Sequence, residues 1–283
     1  MTLLKLILLA LAALALAAAA LGLWVHAGDR AQASRVRATL EAARETDPPA
    51  FDPAMVAALP EIAQRYFARA IAPGTPLHRT VRLEMTGRFI LNGNDMPMAA
   101  HQILAPPAQG FVWQAEIGAG LLRFAGSDGY SRSDAGIESW TKFWLRGPIP
   151  LARIGGTEDH ARAAATRVMM EAIWTPAALL PQFGADWTQT GPYSAEIRFA
   201  DTPDLGPLRI AFDAAGDPVE VVTLRWSDAN PERRWQLQPF GGRMLETGRH
   251  GGFRIPVRVE LGNHFSTPDY APFFLATINR AEF

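Results

Sequence analysis

The sequence predicts an α+β fold, mostly β, in which a large curved antiparallel sheet, a half-barrel, wraps around two helices behind an N-terminal transmembrane helix. Three observations carry this. Apolar residues alternate with charged or small ones along about nine or ten runs between Leu77 and Phe283, a number suited to a large curved sheet. Only two amphipathic helical stretches accompany those runs. An uncharged apolar segment, Leu6 to Val25, opens the chain. A sheet that is apolar on one face must cover that face, and the two helices are what the chain offers for it.

The opening segment, LILLALAALALAAAALGLWV, is long enough as a helix to cross about 30 Å of hydrocarbon, with Trp24 at its far interface. A signal peptide cleaved near Val25-His26-Ala27 is the rival, but signal cores usually run only about 7 to 15 residues. Residues 1–27 therefore read as a single-pass anchor in the cell inner membrane, with the rest of the chain in the periplasm. Arg30, Arg35 and Arg37 argue the other way, because the positive-inside rule would keep them cytoplasmic. Residues 28–50, alanine-rich with charges at solvated-helix spacing and ending at Pro48-Pro49, read as a linker or stalk. Residues 51–283 form the half-barrel domain.

Within that domain Asp52-Pro53 is a helix-start signal, and Leu59, Ile62, Tyr66 and Phe67 mark a helix from Pro60 to Ile71. Period-two alternation then takes over at Val81, Leu83, Met85 and Phe89, and again at Phe111, Trp113, Ala115 and Ile117. It returns at Ala195, Ile197 and Phe199, at Leu208, Ile210 and Phe212, and from Phe253 to Leu261. Asp213 to Asp217 reads as a hairpin turn, Gly126-Ser127-Asp128-Gly129 as a turn between strands, and Phe273 to Phe283 as a closing strand. The second helix spans Thr157 to Pro176, capped by Thr157, favoured at its start by Glu158 and Asp159, and stopped by Pro176.

That helix carries the candidate site. His160, Arg167 and Glu171, at i, i+7 and i+11, share one polar stripe on a helix that the sheet should enclose. A carboxylate there needs a cation, either Arg167 one turn away or Arg225 in the strand run VVTLRW. Two helices leave part of the concavity unfilled, and Trp113, Phe89, Phe212 and Met169 are expected to line the space. The ligand-binding candidates are Glu171, Arg167, His160, Trp113, Trp174 and Arg225; no residue is assigned a catalytic role.

Other chemistries find little support. Net charge is −1 with no block of like charge, which leaves no electrostatic footprint for nucleic acid. The absence of cysteine excludes disulfides, thiolate catalysis and a lipidated N-terminal cysteine. Six histidines are scattered with no HxxxH pair, so neither a metal nor another cofactor is expected. There is no GxSxG or GxxxxGK[ST] motif.

Four segments in order, LPEIAQRYF (59–67), GFVWQAEI (110–117), EAIWTPAALL (171–180) and GGFRIPVRVEL (251–261), carry the motifs LPxxxxRYF, GFxWxA, ExxWxPxxL and GxRIP. Together they resemble a bacterial family of uncharacterised proteins, a domain of unknown function, from which no catalytic residues carry over. The architecture resembles the half-barrel of periplasmic lipoprotein carriers. The expected function is a membrane-anchored, non-enzymatic envelope protein that binds or relays a lipid or other apolar ligand in a sheet-helix cavity. The alternatives are a ligand-free envelope scaffold or interaction domain, and a hydrolase or transferase using Glu171 and His160.

Overall fold

The structure, a computed structural model, describes residues 2–106, 109–134 and 136–283. In chain order the helices are α1 (Leu3–Ala42), α2 (Glu61–Ala70) and α3 (Glu158–Glu171). The strands are β1 (Val81–Leu91), β2 (Asn94–Ala105), β3 (Gly110–Ile117), β4 (Phe124–Ser133), β5 (Gly136–Leu145), β6 (Ile149–Gly155), β7 (Ala185–Gly191), β8 (Ser194–Phe199), β9 (Leu208–Phe212), β10 (Pro218–Ser227), β11 (Gln236–His250), β12 (Phe253–Asn263) and β13 (Ala271–Glu282). All thirteen belong to one sheet, ordered β6-β5-β4-β3-β2-β1-β13-β12-β11-β10-β9-β8-β7, and every pairing is antiparallel. The chain thus lays down two meanders that meet where β1 pairs with β13. The expected mostly β fold with two helices against the sheet is present, with more strands than the alternation indicates.

α3 and α2 cover the concave face. Val168, Met169, Ile173 and Trp174 are buried from α3 and the turn after it, and Ile62, Tyr66 and Phe67 from α2. The ring of Tyr66 lies 5.7 Å from Trp187 and 5.6 Å from Phe212, so the part of the concavity next to β7–β9 is solid. α3 stops sooner than its sequence suggests. Pro176 has no N–H and its ring crowds the carbonyl four residues back, at Ala172, so the α-helix ends at Glu171. The chain continues in tight turns at Ala172–Trp174 and Pro176–Leu179, with the Thr175 N–H on the Ala172 carbonyl at 2.9 Å.

Gly126-Ser127-Asp128-Gly129 is no turn; it lies in the middle of β4. Gly129 is required there because a Cβ would collide with the indole of Trp140, the residue opposite it on β5. The Trp140 Nε1–H donates to the Ser127 hydroxyl at 2.9 Å, so residues that look like turn chemistry accommodate and bond a buried ring.

The segment read as a solvated stalk is the second half of α1, and it packs on the convex face. Ala33, Val36 and Leu40 are buried against Ile103, Ala105, Val112 and Trp140. Asp29, 6% exposed, accepts hydrogen bonds from the Trp144 indole at 3.1 Å and from Arg153 at 2.8 and 3.0 Å, and pairs with Lys142 at 2.9 Å. Burial alone would raise the Asp29 carboxyl, but these donors hold it below the usual carboxylate range. Farther along, Arg35 bonds Glu138, Arg37 bonds Gln114, Glu41 pairs with Arg82 and Glu45 with Arg79. Spacing alone shows charges every turn; it does not show that their partners lie on strands, or just before one, more than thirty residues away. The N-terminal half of α1 is different. Its most apolar stretch has a mean hydropathy of 2.7 and none of it is buried, which suits it to a single membrane span or a signal sequence.

Removing residues 1–47 should therefore damage the domain. Uncovering Ile103, Val112 and Trp140 is expected to cost about 5 kcal/mol, from roughly 1.5–3 kcal/mol per large apolar side chain. A chain starting at Pro48 should bind the dye ANS and unfold at lower denaturant than one starting at His26, whereas equal midpoints would mean that α1 rests on the sheet without stabilising it.

Candidate functional site

Hydrogen-bond register places Gln102 on β2, Trp113 on β3, Asp128 on β4 and Thr141 on β5 directly opposite one another in turn. Opposed residues in antiparallel strands share a face, so these four form one row across the concavity. Three interstrand steps span about 14 Å. The His160–Glu171 stripe of α3 spans about 16 Å at the helical rise. A helix laid across the strands can therefore match its stripe to the row, and α3 does. Gln102 donates to Glu171 at 2.5 Å, Arg167 bonds Asp128 at 2.6 Å, and His160 Nε2 lies 3.2 Å from the Thr141 hydroxyl.

Arg167 also bonds Glu171 at 2.6 Å, and its guanidinium lies 4.3 Å from the centre of the Phe111 ring. Burial would lower its pKa, but Glu171 and Asp128 hold it above the ordinary arginine value. Thr141 donates its proton to Asp128 at 2.9 Å, so its oxygen can only accept from His160. The imidazole is therefore protonated at Nε2, and Nδ1, buried without a partner among the described residues, carries the lone pair. The result is one chain of bonds, Gln102–Glu171–Arg167–Asp128–Thr141–His160, with two carboxylates sharing one arginine.

Beside this chain lies a cavity of about 180 Å³ walled by Phe89, Trp113, Phe143, Phe240, Phe273 and Phe274 and floored by Asp128, Arg167, Glu171 and Arg225. A bulge between Leu261 and Gly262 of β12 leaves Phe273 without an opposite residue and turns it inward beside Phe274. The Phe273 ring then stands 5.7 Å from Phe89 and 6.1 Å from Phe240. Phe89 and Phe273, both half-buried, form the mouth.

Of the residues expected at the site, Glu171, Arg167, Trp113 and Arg225 line this cavity, and His160 joins through Thr141. Arg225 does not pair with Glu171. It donates to the Ala163 carbonyl at 3.2 Å, lies 4.7 Å from the Phe240 ring centre, and has no carboxylate within ion-pair distance among the described residues. Burial pushes its guanidinium down to about 10. Trp174 is elsewhere: 1% exposed, it donates to the Pro256 carbonyl at 3.0 Å. Phe212 packs on Tyr66 and Trp187, and Met169 is 1% exposed in the core, so neither lines the cavity as expected. Asp128, the residue that joins the two ends of the network, was hidden in an apparent turn. The period-two run Phe124, Asp128, Tyr130 was the signal that could have found it. His160 and Glu171 lie at opposite ends of the chain of bonds, about three helical turns apart, so they do not form an acid–base pair. No cluster of histidine and carboxylate ligands suited to a metal occurs among the described residues.

Glu171 is 5% exposed. Losing its charge leaves Arg167 half-compensated, and Glu171→Gln should lower unfolding free energy by about 3 kcal/mol, near the lower bound for breaking a buried pair. A change under about 1 kcal/mol in denaturant titration would place the pair with exposed ones.

Burial lowers the His160 pKa below its ordinary 6.5, with Arg225 adding to this and Asp128 opposing it. The neutral ring thus contributes stability that is fully present above pH 6.5 and lost as pH falls through the lowered native value. His160→Gln should flatten the decline in unfolding free energy between about pH 7 and 5. His78 and His250, also lowered by burial, should supply the slope that remains.

The fold is similar to solved structures at low identity. A DUF1329 family protein from Desulfovibrio piger aligns at 8% identity and a TM-score of 0.42, over 79% of this chain and 90% of its own. An outer membrane lipoprotein-sorting protein domain from Vibrio parahaemolyticus aligns at 9% and 0.42, over 79% and 91%. A LolA superfamily protein from Nitrosomonas europaea aligns at 9% and 0.40, over 78% and 91%. Among curated proteins none matches the sequence. The pattern of a family of unknown function, DUF6544, matches residues 49–275, the half-barrel with both of its covering helices, and the chain belongs to that family.

Proposed function

We propose that this protein is a single-pass inner-membrane protein whose periplasmic half-barrel holds an amphiphile, a fatty acid or another lipid with an acidic group, without transforming it. The observation that carries this reading is an aromatic-walled cavity next to a half-buried arginine that pairs with no carboxylate among the described residues. Asp128 and Glu171 are committed to Arg167, so Arg225 is the cation left for an incoming acid. Burying that cation is costly, and a carboxylate or phosphate would offset the cost by a charge-assisted bond. The Trp113 indole N–H, buried without a partner among the described residues, supplies a second donor in the same wall. At about 180 Å³ the cavity is smaller than the usual drug-sized pocket, so it takes the end of one chain rather than a whole two-chain lipid.

The reading is tested with the full chain in lipid nanodiscs and a diazirine-bearing fatty acid. Crosslinks should map to peptides containing Trp113 or Phe240. Arg225→Gln should weaken labelling by about tenfold or more, the value of one charge-assisted bond, and leave labelling by the matching fatty alcohol unchanged. Crosslinks confined to α1 would favour a ligand-free scaffold.

A further inference from the structure

The apolar half of α1 and the mouth of the cavity leave the sheet at the same end. Gly22 packs so closely on the β5–β6 turn that a Cβ would collide with the Pro148 carbonyl. One turn on, His26 Nδ1 is 2.6 Å from the Gly147 carbonyl oxygen and the ring stacks 5.1 Å from Trp144. Residues before Gly22 therefore project past the sheet. The β1–β2, β3–β4 and β5–β6 turns all lie at this end, because the strands alternate in direction. Phe89 and Phe143 sit two residues short of the ends of their strands here, at Leu91 and Leu145.

This end also carries the two most exposed large apolar side chains outside α1 among the described residues. The short helix Gly120–Leu122, between β3 and β4, leaves Leu121 and Leu122 at 72% and 74% exposure, and Ile149 after the β5–β6 turn is at 52%. Arg30 and Arg146 stand exposed nearby with no ion pair among the described residues, while Arg123 is paired with Glu116. The helix fixes the height of the membrane. From Leu3 to Gly22 it rises about 30 Å, one hydrocarbon thickness, which brings the bilayer surface level with Trp24 and the Pro148 turn. Asp29, Arg35 and Glu41 lock the rest of α1 to the sheet, so the domain cannot swing away.

We propose that the β3–β4 and β5–β6 turns are a membrane-docking rim for an anionic bilayer. Leu121, Leu122 and Ile149 enter the interfacial layer of the leaflet that α1 crosses. Arg30 and Arg146 meet lipid phosphates, and the cavity mouth faces the headgroups. A lipid chain then passes from leaflet to cavity without crossing water. That last step rests on the cavity holding a lipid, whereas docking itself does not.

Because the chain has no cysteine, single labels report position directly. Leu122→Cys, Ile149→Cys and Asp134→Cys, the last at the opposite end of the sheet, are labelled with NBD in the full chain and reconstituted into phosphatidylethanolamine/phosphatidylglycerol vesicles. Labels at 122 and 149 should shift to the blue and be quenched by doxyl lipids, and the label at 134 should be quenched by aqueous iodide alone. Iodide quenching at all three positions overturns the proposal, even if the diazirine fatty acid still labels Trp113 peptides. Lipid quenching at 122 and 149 without such labelling upholds docking and removes the cavity reading. With both present, Leu122→Glu with Ile149→Glu should slow loading from vesicles by about tenfold, through lost apolar insertion, while loading from an albumin complex stays unchanged. Equal slowing by both routes would overturn entry through the rim.

Discussion

Arg167 is the group on which the concave face depends. It is the cation that two carboxylates share, buried Glu171 from its own helix and half-buried Asp128 from the sheet. Without it, Asp128 and Glu171 would be like charges drawn together in a low-dielectric interior, and α3 could not lie across β2–β5 at its present depth. The arrangement resembles a key seated in a row of wards: the helical rise and the interstrand spacing give nearly equal lengths, so three polar side chains meet three partners at once. Such a match fixes the rotation and the axial position of α3 together, which apolar packing alone does loosely. It also explains why a polar network sits where a hydrophobic core could have been continuous. The aromatic cavity lies against this network, which supplies its polar lining.

Much of this was legible in the sequence, for definable reasons. The N-cap of α3, the runs of β1, β3, β8, β9 and β12, and the burial of Glu171 beside Arg167 all follow from local spacing, and the structure agrees with each. The strands that escaped notice, β4 to β6 among them, have a shared cause. α1 lies on the far side of this half of the sheet, so Val112, Ser127 and Trp140 are buried on the convex face and strict in–out alternation disappears. Glycines at 126 and 129 then imitate a turn. The site inherited the same blind spot: its helical members announced themselves by a stripe, while Asp128 and Thr141 are recognisable only once register is known. The choice between Arg167 and Arg225 as partner of Glu171 was likewise a question of distance that spacing could pose without answering.

The segment between the apolar run and the domain illustrates a different limit. Its charges look like those of any solvated helix, because a residue facing a strand arginine and one facing water have the same composition. What distinguishes them is the thin line of Ala33, Val36 and Leu40, three apolar residues at helical spacing that a strongly polar background obscures. The packed helix converts what would have been a tether into a strut. The direction in which the half-barrel faces is then a property of the fold itself.

The sheet, for all its thirteen strands, never closes: β6 and β7 are its two free edges. A closed barrel has its radius dictated by strand number and stagger, whereas an open sheet can tighten or relax its curl while every interstrand bond stays intact. Curvature in this molecule is therefore a soft coordinate. The hollow beneath α3 is compliant in a way that a sealed can is not, and its width can change through small changes of twist spread over many strands rather than through the opening of any single gate.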